Sequence, residues 1–441
     1  MSQTTISSLP VELLAEIFAQ SLPQAPFDLR LSNSAFHLAR VSRLWRDVAL
    51  STPNLWTTFC TKRTNDERVV TLVKKWISLA QDMPLTIRVV DSLDDGLTRV
   101  RMAFYTEICR HSTRWRSLTL LAPYSVISWL PFALSPTRKP LPLPMLEELA
   151  IGYASSSQER PATEISTFAV APCLRKFDIT LDFHGYTSPF LLVVPWTRLL
   201  VFSGSFMAIS ECLFVIREAS NLLEFRTRDL AINAIQETAA IEPRELRVLE
   251  LDGSYTNIFL QLLSVLTLPN LTELHLGTAQ EATIEGLGEL GWILLETFLA
   301  RSACTIRELH ICARMLSAEE LVSGLQLLPS VEHLEVLRFT EYGDLWPLLH
   351  PNAAPTVLPR LRTLIFRSPS SPHRKTYESL LSMLFARSTT SLRHFELTWT
   401  QLGGIFPDED VRARLQELSK RCVRVLLGSV APEEDLFRFS S

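Results

Sequence analysis

Apolar residues recur along most of this chain in a six-residue pattern, L-x-x-L-x-L, seen most cleanly at Leu271-Thr272-Glu273-Leu274-His275-Leu276. Copies occur at Leu146/Leu149/Ile151, Leu174/Phe177/Ile179, Leu246/Leu249/Leu251 and Ile306/Leu309/Ile311. Three more follow at Val331/Leu334/Val336, Leu361/Leu364/Phe366 and Leu392/Phe395/Leu397, and weaker ones start at Trp115, Leu199 and Leu222. Successive starts lie roughly 23 to 35 residues apart, the spacing of repeats that each supply one supersecondary unit. The last three residues of each unit alternate apolar, polar, apolar. That alternation predicts a short strand with two apolar side chains on one face. One unit cannot bury such a face, but a stack can, so the pattern predicts a ladder of parallel strands over a continuous core. Pro144, Pro172, Pro269, Pro329 and Pro359 each stand two positions before the first apolar residue. Lacking an amide donor, proline suits the first residue of a strand. Helical periodicity over Ile209 to Glu218, Ile284 to Ala300, Glu319 to Leu328 and Tyr377 to Arg387 predicts the returns between strands, with right-handed crossovers.

The first sixty residues have a different rhythm. Ser8 can cap a helix that has Pro10 in its first turn and Glu12 against its dipole. Leu13, Leu14, Ile17 and Phe18 give it an apolar stripe at four-residue spacing. A polar link, Gln20 to Asn33, leads to a second helical pattern through Phe36, Arg40, Val41, Leu44, Trp45 and Val48, which stops before Pro53. Next come a helix starting at Thr64 to Glu67 and running to Met83, a strand over Leu85 to Val89, and a helix over Leu97 to His111. This block is expected to cap the ladder. Pro131 to Pro144, Ser155 to Pro161 and Arg367 to Lys375 read as loops, and Pro432 to Ser441 as a frayed tail.

Composition narrows the picture. The 441 residues are 47% hydrophobic and 20% charged, with a net charge of -4. There is ample material for a core, and no basic block to make nucleic acid the main partner. Seven cysteines, scattered and without a C-x-x-C pair, suit reduced thiols. No signal peptide or membrane span is readable, so the expected place is the cytoplasm and/or nucleus.

Three stretches carry a family resemblance: Leu9-Pro10-Val11-Glu12-Leu13-Leu14 with Ile17-Phe18, then Val41-Ser42-Arg43-Leu44-Trp45-Arg46-Asp47-Val48-Ala49, then Pro53-Asn54-Leu55-Trp56. In that order, over residues 6 to 56, they resemble an F-box. The periodic remainder resembles the degenerate leucine-rich repeats of fungal-type F-box proteins. The resemblance implies a fold of the α/β class. A short all-helical F-box (1–60) would lead through a helical linker and cap (61–112) into a leucine-rich-repeat solenoid (113–430), followed by a tail (431–441). Strands would line its concave face and helices its convex face. It also implies a function, that of the substrate-recognition subunit of an SCF-type cullin-RING ubiquitin ligase. The F-box would bind a Skp-type adaptor, and through it the cullin and RING subunits, while the repeats hold a target protein. The adaptor contacts would fall on Leu9, Pro10, Glu12, Leu13, Ile17, Phe18, Val41, Leu44 and Trp45. Physical reasoning points the same way, since fifty residues of helix cannot bury both sides of their apolar stripes. The link from Gln20 to Asn33 is longer than in compact F-boxes. A plain interaction scaffold with no ligase role is the alternative.

The polar residues between the inward positions of each strand would share the opposite face. They include Glu250, Glu273, His275, Glu308, His310, His333, Glu335, His394 and Glu396. With strands in register they form columns at about 4.8 Å spacing, an acidic and histidine-bearing strip fit for a basic or hydroxyl-rich target. His275, His310 and Cys312 have ligand types that suit zinc, but no short spacing fixes them. General acid-base work would want a nucleophile, phosphate loop or H-E-x-x-H helix beside the strip, and none is readable. The expectation is therefore no catalysis, metal or cofactor. Asn270-Leu271-Thr272 spells a glycosylation sequon inside a repeat core and is taken as chance.

Overall fold

The structure, a computed structural model, describes residues 9–22, 35–91, 96–134, 141–154, 164–179, 188–230, 241–253, 256–277, 288–314, 316–353, 356–371, 373, 375–400, 408–420 and 424–429. Ser8, the Ser155 to Pro161 loop, the tail from Pro432, most of the Gln20 to Asn33 link and the first part of the Ile284 to Ala300 helix lie outside the described residues. The chain divides into two compact units, Met1–Ser205 and Phe206–Ser441.

The first unit begins with helices α1 (Val11–Ser21), α2 (Ala35–Leu38) and α3 (Arg43–Ser51). Pro10 stands at the N-cap of α1 with φ -53°, and no side chain caps that end. α3 is capped by Ser42, whose hydroxyl accepts from the Trp45 amide at 3.1 Å. A 3-10 turn, Pro53–Trp56, follows. Trp56 is fully buried and donates its indole N–H to the Ala49 carbonyl, 2.8 Å away. Its ring meets Trp76 at 4.9 Å and Phe36 at 4.8 Å, tying the opening helices to the next one. Then come β1 (Thr58–Thr61), α4 (Glu67–Leu79), β2 (Leu85–Val90), α5 (Arg99–Cys109), β3 (Trp115–Pro123), α6 (Tyr124–Leu134), β4 (Glu148–Ala154), β5 (Lys176–Ile179) and β6 (Val201–Ser205). These six strands pair in chain order, all parallel. The parallel ladder thus starts at Thr58, at the end of the segment expected to be all helical (1–60), and runs on through the block expected to be a linker and cap (61–112). Beneath it, Asp91 takes hydrogen bonds from Thr64, from Tyr105 (3.0 Å) and from the Arg101 guanidinium (3.1 Å), a fully buried ion pair. Burial, together with the neighbouring Asp91 charge, pushes the Tyr105 hydroxyl well above its usual range.

The second unit contains α7 (Ile209–Glu218), β7 (Glu224–Arg228), β8 (Val248–Asp252), α8 (Thr256–Val265), β9 (Glu273–Gly277), α9 (Gly288–Ser302) and β10 (Glu308–Cys312). α10 (Ala318–Gln326), β11 (His333–Leu337), α11 (Tyr342–Leu348), β12 (Thr363–Ser368), α12 (Thr376–Ser388), β13 (His394–Trp399), α13 (Glu409–Lys420) and β14 (Arg424–Ser429) complete it. Its eight strands are parallel and again ordered as in the chain. The second and third apolar residues of every repeat, from Leu249 and Leu251 to Phe395 and Leu397, are buried along one face. The cation of α12 is buried too: Arg387 donates to the carbonyls of Leu349, Leu358 and Val357, closing the chain that follows α11. Burial lowers its pKa to about 10. α9 and α10 meet so closely at Gly324 that an added Cβ would stand 2.2 Å from the Trp292 ring.

Several expectations need correction. The repeat prolines do not open strands. Leu143-Pro144-Met145-Leu146 is a turn closed by the Leu146 amide on the Leu143 carbonyl at 3.3 Å, and Leu174, Leu271, Val331 and Leu361 close the same turn. Proline is its second residue, where a fixed φ near -65° is what a turn requires. In these five repeats the first apolar residue therefore precedes its strand. The loop expected from Pro131 starts inside α6, which carries that proline. Besides α6, three helices were not expected: α8 reads as an unpunctuated apolar run, α11 contains Pro347, and α13 is mostly charged. Among the described residues no helix is long and apolar enough to cross a membrane.

Candidate functional sites

Two surfaces stand out, one in each unit. In the first unit, α1 presents apolar residues on two sides. Leu14 and Phe18 turn inward and are buried with Ala35, Val48, Ala49 and Leu55. Leu13 and Ile17, one residue back and so about 100° around the helix, stay outside. With Val11, Val41 and Leu44 they are 38 to 59% exposed, and Pro10 and Glu12 are exposed beside them. Leu9 and Trp45 are half-buried. Phe18, expected among the contact residues, is 1% exposed and packs its ring 4.7 Å from that of Trp45. It is a core residue, because its stripe is the one that α3 covers. Val11 was missed: it belongs to the exposed side but falls outside the four-residue spacing that drew attention to Leu13 and Ile17.

In the second unit the register sets two columns across β8 to β13. One holds Val248, Glu273, Glu308, His333, Thr363 and His394, and the other Glu250, His275, His310, Glu335, Ile365 and Glu396. The imidazoles of His275 and His310 stack at 3.8 Å, tilted by 17°, and His333 follows at 5.5 Å. His310 lies between two carboxylates, with Nε2 2.9 Å from Glu308 and Nδ1 3.1 Å from Glu335. Burial lowers its pKa, but those two hydrogen bonds outweigh burial and lift it to about 9. Glu335 shows the converse. Burial alone would raise it, yet His310 and Arg367 hold it down at about 2. The hydrogen bond from His310 lowers Glu308, whereas burial lowers His333. Arg367 also lies 3.4 Å from Glu396, which is 3.6 Å from His394. At the other end Arg226 pairs with Glu224 (3.1 Å) and Glu250 (3.4 Å).

The strip is thus a chain of matched charges. Glu335, expected to face a target, is 3% exposed and covered by its own partners. The remaining eight expected residues are half-buried. Sequence reading missed Arg226 and Arg367, which neutralise the strip. Arg226 lies in one of the weak repeats, and Arg367 was assigned to a loop although it continues β12. Cys312 is buried and stands apart from the donor atoms that converge around His310.

Comparison with known proteins separates the two surfaces. No curated protein matches the chain. Residues 6–62 match the F-box-like family, a stretch that runs from the segment before α1 through α3, Trp56 and β1, and takes in the exposed Val11, Leu13, Ile17, Val41 and Leu44.

Proposed function

We propose that the chain is a substrate receptor of an SCF-type cullin-RING ubiquitin ligase. The observation that carries this reading is the exposed apolar set Val11, Leu13 and Ile17 on α1, Leu44 on α3 and Val41 in the turn before it, all within the F-box-like segment. Large apolar side chains left in water on a small helical unit are what a partner groove takes up. A Skp-type adaptor is the partner that an F-box-like segment calls for, with cullin and RING subunits behind it. The ordered parallel strands and buried repeat leucines support a degenerate leucine-rich-repeat solenoid, and the half-buried strip is its candidate target surface. On this reading the chain itself does no chemistry. The ligase works by holding a target lysine near a ubiquitin carrier supplied by other subunits. The raised pKa of Cys109, about 12 through burial, fits a packing role for that thiol. The expected compartment is cytoplasm and/or nucleus.

The test is co-purification with the Skp-type adaptor. Removing residues 1 to 56 would also remove Trp56 from the core, so point substitutions are the cleaner probe. A Leu13→Ala, Ile17→Ala double variant should keep its unfolding transition and lose the adaptor. The same is expected of Leu9→Ala with Pro10→Ala. Full adaptor binding by either folded variant would leave the scaffold reading in its place.

A further inference from the structure

We propose that the strip holds a first-row divalent cation of the zinc type, liganded by His275, Glu308 and His310. One donor atom from each of these side chains lies within 4.8 Å of the others. Zinc bonds of about 2.0–2.1 Å set tetrahedral ligand atoms roughly 3.4 Å apart, so a closing movement of about 1 Å completes the set. Register supplies what spacing along the chain could not. Glu308 and His310 alternate on β10, and His275 is the cross-strand partner of His310 on β9.

Three details favour this set. The Nε2 atom of His275 is buried and lacks a hydrogen bond, although Glu273 Oε1 is only 2.9 Å away. A polar atom shut away from water without a directed partner is a position that a ligand can satisfy. His310 also has a carboxylate at its opposite nitrogen, with Glu335 3.1 Å from Nδ1, whereas Glu250, 3.9 Å from His275 Nδ1, is beyond hydrogen-bond reach. This carboxylate–histidine pairing is the arrangement that aims the far nitrogen at a metal. Finally, Arg226 and Arg367 are matched to Glu250 and Glu335, while Glu273 and Glu308 face the two imidazoles, where a metal cation can take the place of imidazole protons. Two imidazoles and one carboxylate suit zinc and its first-row neighbours better than calcium or magnesium, which prefer all-oxygen ligands. Three protein ligands leave a fourth position open, where a target side chain or water could bind. The proposal is independent of the ligase reading.

The experiment uses the untagged full chain, stripped with a chelator and titrated with Zn2+ by calorimetry, then with Co2+ followed by visible absorption. One saturating equivalent is expected, with tetrahedral Co2+ bands. His275→Ala and Glu308→Gln should each weaken binding by more than the roughly 10- to 100-fold that loss of an outer-shell partner costs. His333→Ala and His394→Ala, which change histidines on the same strip, should stay within about twofold of the unaltered chain. Glu308→Gln conserves shape, so its loss of binding is expected with an unchanged circular-dichroism spectrum in chelator, even where loss of the His310 pair lowers the melting temperature. The proposal fails if no one-equivalent binding is seen, if His275→Ala binds as tightly as the unaltered chain, or if His333→Ala is the variant that loses the ion.

Discussion

The surface of α1 and α3 and the strip on β8 to β13 both expose side chains that a solitary domain would not need there, but they do so in opposite ways. On the helices the exposed groups are apolar and satisfied by nothing around them. On the strands the groups are charged, half-buried or, at Glu335, buried, and satisfied by each other through His310, Glu335, Arg367 and Glu396. An apolar patch gains from any partner that excludes water. A network of paired charges must give up existing bonds before it can take new ones. On the proposed reading, the first surface suits docking by burial alone, and the second suits a group that can replace an internal partner.

The comparison can be broken most directly at Phe18 and Leu13, which neighbour the same helix turn. Phe18→Ala opens a cavity beside Trp45 and should cost about 3–5 kcal/mol of stability in denaturant unfolding. Leu13→Ala should cost less than about 0.5 kcal/mol of stability. Its price is in adaptor affinity, where a truncated apolar anchor is worth about 2 kcal/mol, or roughly thirtyfold. Equal stability losses at the two positions would mean that both sides of α1 are packed.

The strip should respond to the loss of one buried partner. Glu335→Ala removes the buried partner that Arg367 and His310 share, leaving them Glu396 and Glu308, and a loss of about 3 kcal/mol is expected by the same unfolding measurement. A smaller effect should follow pH. In chelator, His310 is charged up to about pH 9 when folded, against 6.5 when unfolded, so its contribution is complete below pH 6.5 and fades as pH rises towards 9. Glu335 adds stability above its unfolded value of 4.5 and loses it only as pH falls towards 2. His333 works against the fold below pH 6.5, because burial disfavours its charged form. A decline in melting temperature between pH 6.5 and 9 that vanishes in His310→Gln is the expected signature; a variant that keeps the decline would trace it to other groups. The smallest effect belongs to His394→Ala at the edge of the strip. Its pair with Glu396 is long and partly solvated, and the change should stay below about 1 kcal/mol.

Much of the architecture was legible because it rests on periodicity. The L-x-x-L-x-L spacing located the strands and the side of each that is buried, since alternation along a strand is a local property. The opening motif was legible for a similar reason: Ser42, Leu44, Trp45 and Leu55-Trp56 stand at fixed distances along a short stretch. What escaped was everything that depends on which neighbour arrives from elsewhere in the chain. Phe18 and Ile17 have equal claims to exposure until α3 covers one of them. Arg367 looks like loop until β13 pairs with it. His275 and His310 are 35 residues apart in sequence, and only the register of β9 on β10 stacks their rings 3.8 Å apart. Local sequence thus decided the strands, their buried faces and the motif at the front. The tertiary structure decided which apolar side chains stayed in water and which charges found each other, because burial and ion pairing are properties of contacts between segments, and no single segment encodes them.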